Sequence, residues 1–319
     1  MIVSKCPLRI SLMGGSTDLE DFIQKNGRGA VINFSTTLYT YITFHNDLLG
    51  YNMVSKKYII NYSQREECNE IKDIKNDVAR EVLDYLDVPH ATVSFTSDIF
   101  SSGSGLASSS SYVLSLIKAA YHHRGLSLTD FEICKKGLLI ERKFNPLTGY
   151  QDPYGCGLGG LRRLDFKKGK DPEVKHLPED IFKKIDMFLI YTGETRRSTN
   201  VLKKVCQQSR ARFLNYVDEM ELAIREVNID SFIALIHKGW NYKKLGNPHI
   251  LGSEGLRASD YTIGKDSRIL AHRLCGAGSG GYFLVFMHSD PGNSEYLMKT
   301  YKHVLPVGIS SSGIYSEKI

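Results

Sequence analysis

Apolar and polar positions alternate from the start of the chain. Leu8-Arg9-Ile10-Ser11-Leu12 reads as a strand that stops at Gly14-Gly15, and Ser16-Thr17-Asp18 then offers a helix cap ahead of Leu19, Phe22 and Ile23. Residues 30–63 read as β, in the segments Val31–Phe34, Leu38–Phe44 and Lys57–Tyr62. An amphipathic helix is predicted over Asn76–Leu86 with Pro89 behind it, then a strand over Thr92–Phe95. Val113, Leu116, Ile117 and Ala120 keep helical spacing and define a helix over Ser108–His123. Thr129–Lys143 is a further helix, closed by Asn145-Pro146, and Leu161–Phe166 alternates as a strand.

Near Lys168–Pro178 the chain turns charged and carries two prolines, which marks a linker. Beyond it come a strand at Met187–Tyr191, a long helix over Ser198–Val227 and another over Ile229–Lys244. A strand at Tyr282–Phe286 and a helix at Glu295–His303 follow, and the end looks extended. Strands and helices are mixed rather than strictly alternating. The expectation is an α+β chain of two lobes, residues 1–170 and 171–319.

Composition narrows the class. With 42% apolar and 24% charged residues, the 319-residue chain has a globular balance that excludes disorder and fibre. No apolar run approaches the ~20 residues of a membrane helix, and the N-terminus lacks a secretory apolar region. The six cysteines are scattered without CxxC or zinc spacing, which points to a reduced, cytoplasmic protein. A net charge of +6 is only mildly basic, and the stretch Arg162–Lys170 reads as a solvated strand end rather than a nucleic-acid surface. Neither nucleic acid nor membrane is expected as a partner, and the oligomeric state is left open.

Glycine is distributed unevenly. Of 28 glycines, eleven fall in three clusters: Gly103 and Gly105; Gly149, Gly155, Gly157, Gly159 and Gly160; and Gly276, Gly278, Gly280 and Gly281. The first, Gly103-Ser104-Gly105-Leu106-Ala107-Ser108-Ser109-Ser110, sits between a strand and a helix. Inward-turned backbone N–H groups and a helix N-terminus make an anion cradle there, most often for phosphate. It lacks the Gly-Lys-Ser/Thr ending of a P-loop and the third glycine of a dinucleotide fingerprint, and composition alone also allows a Gly/Ser linker. The second cluster holds Asp152, with Glu141 eleven residues earlier. Two carboxylates near a phosphate cradle suit Mg²⁺ binding and activation of a hydroxyl, although a turn cap and a solvated glutamate fit the same letters. The third cluster opens into a strand, as a tight turn or as a close backbone approach.

Taken together these segments resemble the GHMP kinase family. Pro7–Asp18 is similar to its first motif, Gly103–Ser110 to its phosphate loop and Gly276–Gly281 to its third motif, in the family's order. Within the family the resemblance is to sugar-1-kinases acting on a heptose 7-phosphate. It is carried by Gly14–Leu19, Tyr191–Ser198 and His237-Lys238-Gly239-Trp240. The resemblance implies a two-lobed GHMP-kinase-like fold, with an N-terminal nucleotide-binding lobe and a ferredoxin-like C-terminal lobe. It implies ATP as co-substrate, Mg²⁺, and phosphorylation of an anomeric hydroxyl for surface polysaccharide synthesis. By motif position, Gly103, Ser104, Gly105, Leu106, Ala107, Ser108 and Ser109 would bind the ATP phosphates. Ser109 and Glu141 would hold Mg²⁺, Asp152 would act as base and Arg9 would assist it. Gly15, Ser16, Thr17 and Asp18 would bind sugar, and Gly276, Gly278, Gly280 and Gly281 would close the site.

The chain departs from the family in its phosphate loop and its first motif. Ala107 stands where the loop usually has glycine and Ser110 where it usually has alanine, and Gly15-Ser16 replace the Glu-His of galactokinases, which argues against galactose. Arg196 and Arg197 are candidates for the substrate's own phosphate, since arginine grips phosphate through a bidentate fork. The same fold serves a fucose kinase or a non-catalytic sensor as alternatives. Trp240, His122-His123 and Cys275 are expected to be packing or helix-end residues.

Overall fold

Strand β1 (Ile2–Met13) runs antiparallel to β2 (Arg28–His45), and this pair is the spine of an eight-stranded sheet in a computed structural model that describes residues 1–45, 57–194 and 212–319. The first half of β2 carries β6 (Leu161–Lys167), and its second half carries β5 (Thr92–Ser97). β5 pairs in parallel with β3 (Tyr58–Asn61), which holds β4 (Arg65–Cys68). β7 (Glu173–His176) pairs with β6, and β12 (Tyr315–Lys318) pairs with the start of β1.

Val31–Phe34 and Leu38–Phe44 belong to one strand rather than two. The polar residues between them are satisfied inside: Ser35 is fully buried and its hydroxyl donates to the Gly155 carbonyl at 2.7 Å. Likewise Ser16-Thr17-Asp18 do not cap α1 (Glu20–Asn26), whose first residue follows Leu19 without a side-chain cap.

Three helices on this sheet are as the sequence reads them. They are α2 (Asp77–Tyr85), capped by Asn76; α3 (Ser108–His123); and α4 (Asp130–Phe144), opened by a Thr129–Glu132 capping box. The apolar faces of α2, α3 and α4 share one core with Ile42, Phe44 and Val93 of the sheet. A short helix, α5 (Gln151–Gly157), replaces the loop suggested by the second glycine cluster. Gly155 and Gly157 let it press against Asn33 of β2 and Cys134 of α4.

The second half of the chain runs β8 (Ile185–Tyr191), α6 (Arg212–Arg225), α7 (Ile229–Gly246), α8 (Glu254–Lys265), β9 (Ala271–Leu274), β10 (Tyr282–His288), α9 (Asn293–Thr300) and β11 (Val304–Pro306). Its four strands form an antiparallel sheet in the order β11-β8-β10-β9, the ferredoxin-like arrangement. The segment 195–211, where the sequence predicts the start of the long helix, lies outside the described residues. Leu8, Ile10 and Leu12 of β1 pack in one cluster with Leu189 of β8 and Tyr282 and Leu284 of β10, so the two sheets share a core. No helix among the described residues is long and apolar enough to cross a membrane.

Candidate active site

A cavity of about 340 Å³ opens where the two sheets meet, lined by the first glycine cluster, the turn after β1, the start of α5, and parts of α4, α7 and β9. The loop from Ser101 to Ala107 is shaped by backbone conformation. Gly103, Gly105 and Ala107 all have positive φ, and Ala107 in the left-handed region delivers the chain into α3. That entry leaves the N–H groups of Ser108, Ser109 and Ser110 without helical partners, next to the positive end of a 16-residue helix. Ser104 and Ser108 hydroxyls are joined at 2.9 Å beneath it. An anion entering this corner meets unpaired N–H donors and a favourable dipole.

The third cluster packs against this loop as bare backbone. A Cβ on Gly276 would lie 2.5 Å from the Gly105 Cα, and one on Gly281 would lie 2.3 Å from the Ser104 carbonyl oxygen. Both positions also have positive φ, so only glycine closes this seam.

Beside the loop, Arg9 and Asp152 form an ion pair. Arg9 Nη2 donates to Asp152 Oδ1 at 2.7 Å and Nε donates to the same oxygen at 3.0 Å, while Nη1 donates to the Gly105 carbonyl at 2.8 Å. Burial works against the Arg9 charge, but Asp152 more than offsets it and raises the guanidinium pKa. The Asp152 side chain keeps 24% exposure, toward the cavity, and neither Arg9 bond uses Oδ2. This carboxylate is oriented and accessible, as a proton acceptor must be.

Glu141 of α4 comes up from below. It is 2% exposed, and burial lifts its carboxyl to a pKa of about 7, against the lowering effect of hydrogen bonds from Ser110 and Ser109. Ser110 Oγ donates to Glu141 Oε2 at 2.5 Å. Ser110 is buried on the helix side, whereas Ser109 lines the cavity. A buried carboxylate short of positive charge, with a hydroxyl beside it and phosphate oxygens to come, is a donor set that suits a hard divalent cation. Among the described residues no group of three His, Cys, Asp or Glu side chains gathers as a metal site, so such an ion would take its remaining ligands from phosphate and water.

The opposite end of the cavity is built around Gly15 and Asp18. Asp18 is fully buried and accepts N–H groups from Ser16 (3.0 Å), Gln151 backbone (3.0 Å) and Gln151 Nε2 (3.1 Å). Burial and the Asp152 charge raise its pKa to about 6. Asp18 therefore shapes the turn and fixes Gln151. Ser11 Oγ and Gln151 Oε1 are buried without hydrogen-bond partners on either side of Gly15, and they are the open polar groups of this end.

Several residues that the motifs single out fall elsewhere. Thr17 is fully buried with its hydroxyl 2.8 Å from the Gly14 and Ala30 carbonyls, and it does not line the cavity. Leu106 and Gly281 are likewise outside the lining: Leu106 is buried and its carbonyl receives the Arg9 N–H at 3.0 Å, and Gly281 serves the seam. Gly103, Ser104, Gly105, Ala107, Ser108, Ser109, Gly15, Ser16, Gly276, Gly278 and Gly280 do line it. Arg196 and Arg197 lie outside the described residues.

Two cations that the motifs do not mark enter from the second lobe, Lys243 of α7 and Arg273 of β9. A signal for Lys243 exists in the sequence, because it continues the inward stripe of Ile236 and Trp240 on α7. Arg273 has none, since β9 is buried at all four positions. Trp240 is buried and donates from Nε1 to Asp260, Cys275 is a buried free thiol, and His122 Nδ1 contacts Ser316 at 2.8 Å near the end of α3.

An anion cradle, an arginine-paired carboxylate and a second, buried carboxylate, set between two lobes of this topology, fit a phosphotransferase. Residues 70–160 match the family described as the GHMP kinases N terminal domain. That segment carries a GHMP kinase N-terminal domain, the chain as a whole is similar to sugar kinases, and kinases of this family take ATP as co-substrate.

Among characterised proteins it is similar to D-glycero-alpha-D-manno-heptose 7-phosphate kinase of Campylobacter jejuni, at 25% identity covering 100% of this chain and 99% of that protein. It is also 25% identical to L-fucokinase/L-fucose-1-P guanylyltransferase of Bacteroides fragilis, over 91% of this chain and 35% of that larger protein. Among solved structures, a D-glycero-D-manno-heptose 1-phosphate kinase from Bacteroides thetaiotaomicron has the same fold, with a TM-score of 0.76 at 20% identity, covering 100% of this chain and 99% of that one.

Proposed function

We propose that this chain transfers the γ-phosphoryl group of ATP to the anomeric C1 hydroxyl of D-glycero-D-manno-heptose 7-phosphate. The product would be the 1,7-bisphosphate, destined for nucleotide-activated heptose and surface polysaccharide, made in the cytoplasm. The observation that carries the reading is the accessible Asp152 carboxylate, paired with Arg9 within one cavity that also holds the phosphate cradle. The full-length similarity to a heptose 7-phosphate kinase supports the acceptor.

In this reading the lobe of residues 1–170 binds ATP and the lobe of residues 171–319 closes over the acceptor. The sugar lies against Gly15, Ser16, Ser11 and Gln151, with its C1 hydroxyl at Asp152. Asp152 takes the hydroxyl proton as the new O–P bond forms, and the bond from the γ-phosphorus to the bridging oxygen breaks to release ADP. Arg9 keeps Asp152 ionised and offsets charge on the transferring group. In a loose transition state Asp152 contributes more by orienting the hydroxyl than by early proton removal. Glu141 and Ser109 would hold Mg²⁺, which when bound neutralises phosphate charge.

Purified protein with Mg-ATP and a panel of sugars tests this. The reading expects ADP release with heptose 7-phosphate, and NMR should place the new phosphate on C1. Release with free fucose alone would favour the second reading, a fucose kinase, which the similarity to the L-fucokinase protein supports. Nucleotide binding without turnover on any sugar would reduce the chain to a sensor.

A further inference from the structure

The mechanism above leaves Lys243 and Arg273 without a task. Both line the cavity, and among the described residues neither forms an ion pair. Arg273 is 7% exposed; its Nη1 donates to the Leu12 carbonyl, and its Nε is buried with no hydrogen-bond partner. The Lys243 ammonium donates to the Gly276 carbonyl. Burial and the neighbouring Arg273 and Arg9 charges press the Lys243 pKa down to about 7, opposed only by Cys275. Arg9 pairs with Asp152, but among the described residues no carboxylate forms an ion pair with Lys243 or Arg273, although Asp18, Glu141 and Asp152 line the same cavity. A phosphate monoester carries about −1.5 to −2 at neutral pH and would supply the counter-charge that this pair lacks.

Position separates Arg273 from the ATP cradle, while Lys243 links the two ends of the cavity through its bond to the Gly276 carbonyl. Arg273 is tied to Leu12, next to Ser11 and one turn from Gly15, at the end of the cavity where Ser11 Oγ and Gln151 Oε1 stand open. The cations are also held in place. Asp260 of α8 accepts from Trp240 Nε1 (2.8 Å) and Lys244 Nζ (3.0 Å) on α7, and it contacts His272 Nε2 (2.8 Å) on β9. Despite burial, those bonds hold its pKa near 2. One carboxylate thus fixes the immediate neighbours of both Lys243 and Arg273.

We propose that Lys243 and Arg273 form a phosphate subsite for the acceptor, binding the phosphate monoester that the sugar already carries. This rests on the reading of the acceptor as a sugar phosphate. It gives α7 and β9 the task for which the sequence offers Arg196 and Arg197.

The test compares full-length wild type, Lys243→Met, Lys243→Arg and Arg273→Gln, with heptose 7-phosphate and with the unphosphorylated heptose. In Lys243→Met the KM for heptose 7-phosphate should rise roughly 10- to 100-fold, as for loss of a charged hydrogen bond. The KM for ATP should stay within about twofold, the preference for the phosphorylated sugar should fall by the larger factor, and Lys243→Arg should recover part of it. Inorganic phosphate should compete with the sugar phosphate in wild type and compete more weakly in Lys243→Met. Lys243 is only half-buried, so that variant carries the test if Arg273→Gln does not fold. Equal losses with both sugars, or a matching rise in the KM for ATP, would assign the pair to the transferred phosphoryl group and overturn the proposal while the heptose reading stands. Wild type that turns over only free sugars would overturn both.

Discussion

Arg9 and Asp152, 143 residues apart in the chain, meet at 2.7 Å because β1 and the start of α5 converge on the Gly105 carbonyl. The pair spends one carboxylate oxygen on the arginine, so the carboxylate is fixed and its other oxygen is left free of Arg9. Asp152→Asn keeps the shape and removes the proton acceptor. Its kcat should fall roughly 100- to 10,000-fold, while the KM for ATP changes little. Steady-state kinetics measure both, and near-normal turnover would remove the assignment of Asp152 as base.

The buried charges of the site do not balance one another, and stability should report it. Glu141 and Asp18 have pKa values raised to about 7 and about 6 in the folded protein. Both protonate more readily folded than unfolded, so their contribution is complete below about pH 4 and is lost as pH rises toward 7. Lys243, lowered to about 7, acts in the opposite sense, and its contribution returns as pH rises from 7 toward 10.5. The protein without substrates should therefore pass through a stability minimum near neutrality. Glu141→Gln should flatten the acid side of that minimum, by on the order of 3 kcal/mol. Thermal melts from pH 4 to 9 check this, and a wild-type slope unchanged in Glu141→Gln would exclude the cause.

Ala107 holds a left-handed conformation, φ 60° and ψ 39°, that favours glycine. Ala107→Gly should relieve about 1 kcal/mol of backbone strain and return part of it through the freer unfolded chain. A gain of a few tenths to about 1 kcal/mol in denaturant unfolding is expected, with α3 unchanged. A clear loss of stability would mean that the alanine methyl packs usefully.

Gly276→Ala attacks the seam between the lobes. The new methyl would meet Gly105 at 2.5 Å on a backbone with φ +63°. Overpacking together with the left-handed strain should cost roughly 2–5 kcal/mol and raise the KM for ATP, because the phosphate loop must shift to make room. Wild-type stability and ATP affinity in this variant would show that the seam yields.

Much of this is legible in the sequence where a periodic pattern meets a clear boundary. Ser108–His123 is such a helix, because its apolar stripe begins just past the glycines and ends at polar histidines. Asp152 and Glu141 are picked out by motif order rather than by pattern. α5 is hidden because glycines that serve close packing against Asn33 and Cys134 look like loop glycines on paper. α8 buries only Leu256 and Ile263, too few for a visible stripe, and β9 is four residues with a histidine and an arginine inside it. Ser11, Gln151 and Arg273 escape for a shared reason. A polar side chain turned into a cavity carries the same letter as one turned to water.

The division of materials inside the cavity has a practical consequence for redesign. The donor half is made largely of backbone: amides, αL turns and a glycine-against-glycine seam that tolerates almost no change. The half proposed for the acceptor is made of side chains, Ser11, Gln151, Lys243 and Arg273, set on four different elements, of which only Lys243 touches the seam, through the Gly276 carbonyl. On that reading, an engineer seeking a new acceptor can vary Ser11, Gln151 and Arg273 while the backbone-built half keeps its shape. On the proposed reading the fold is a fixed cradle for the phosphoryl donor with an exchangeable socket for the acceptor.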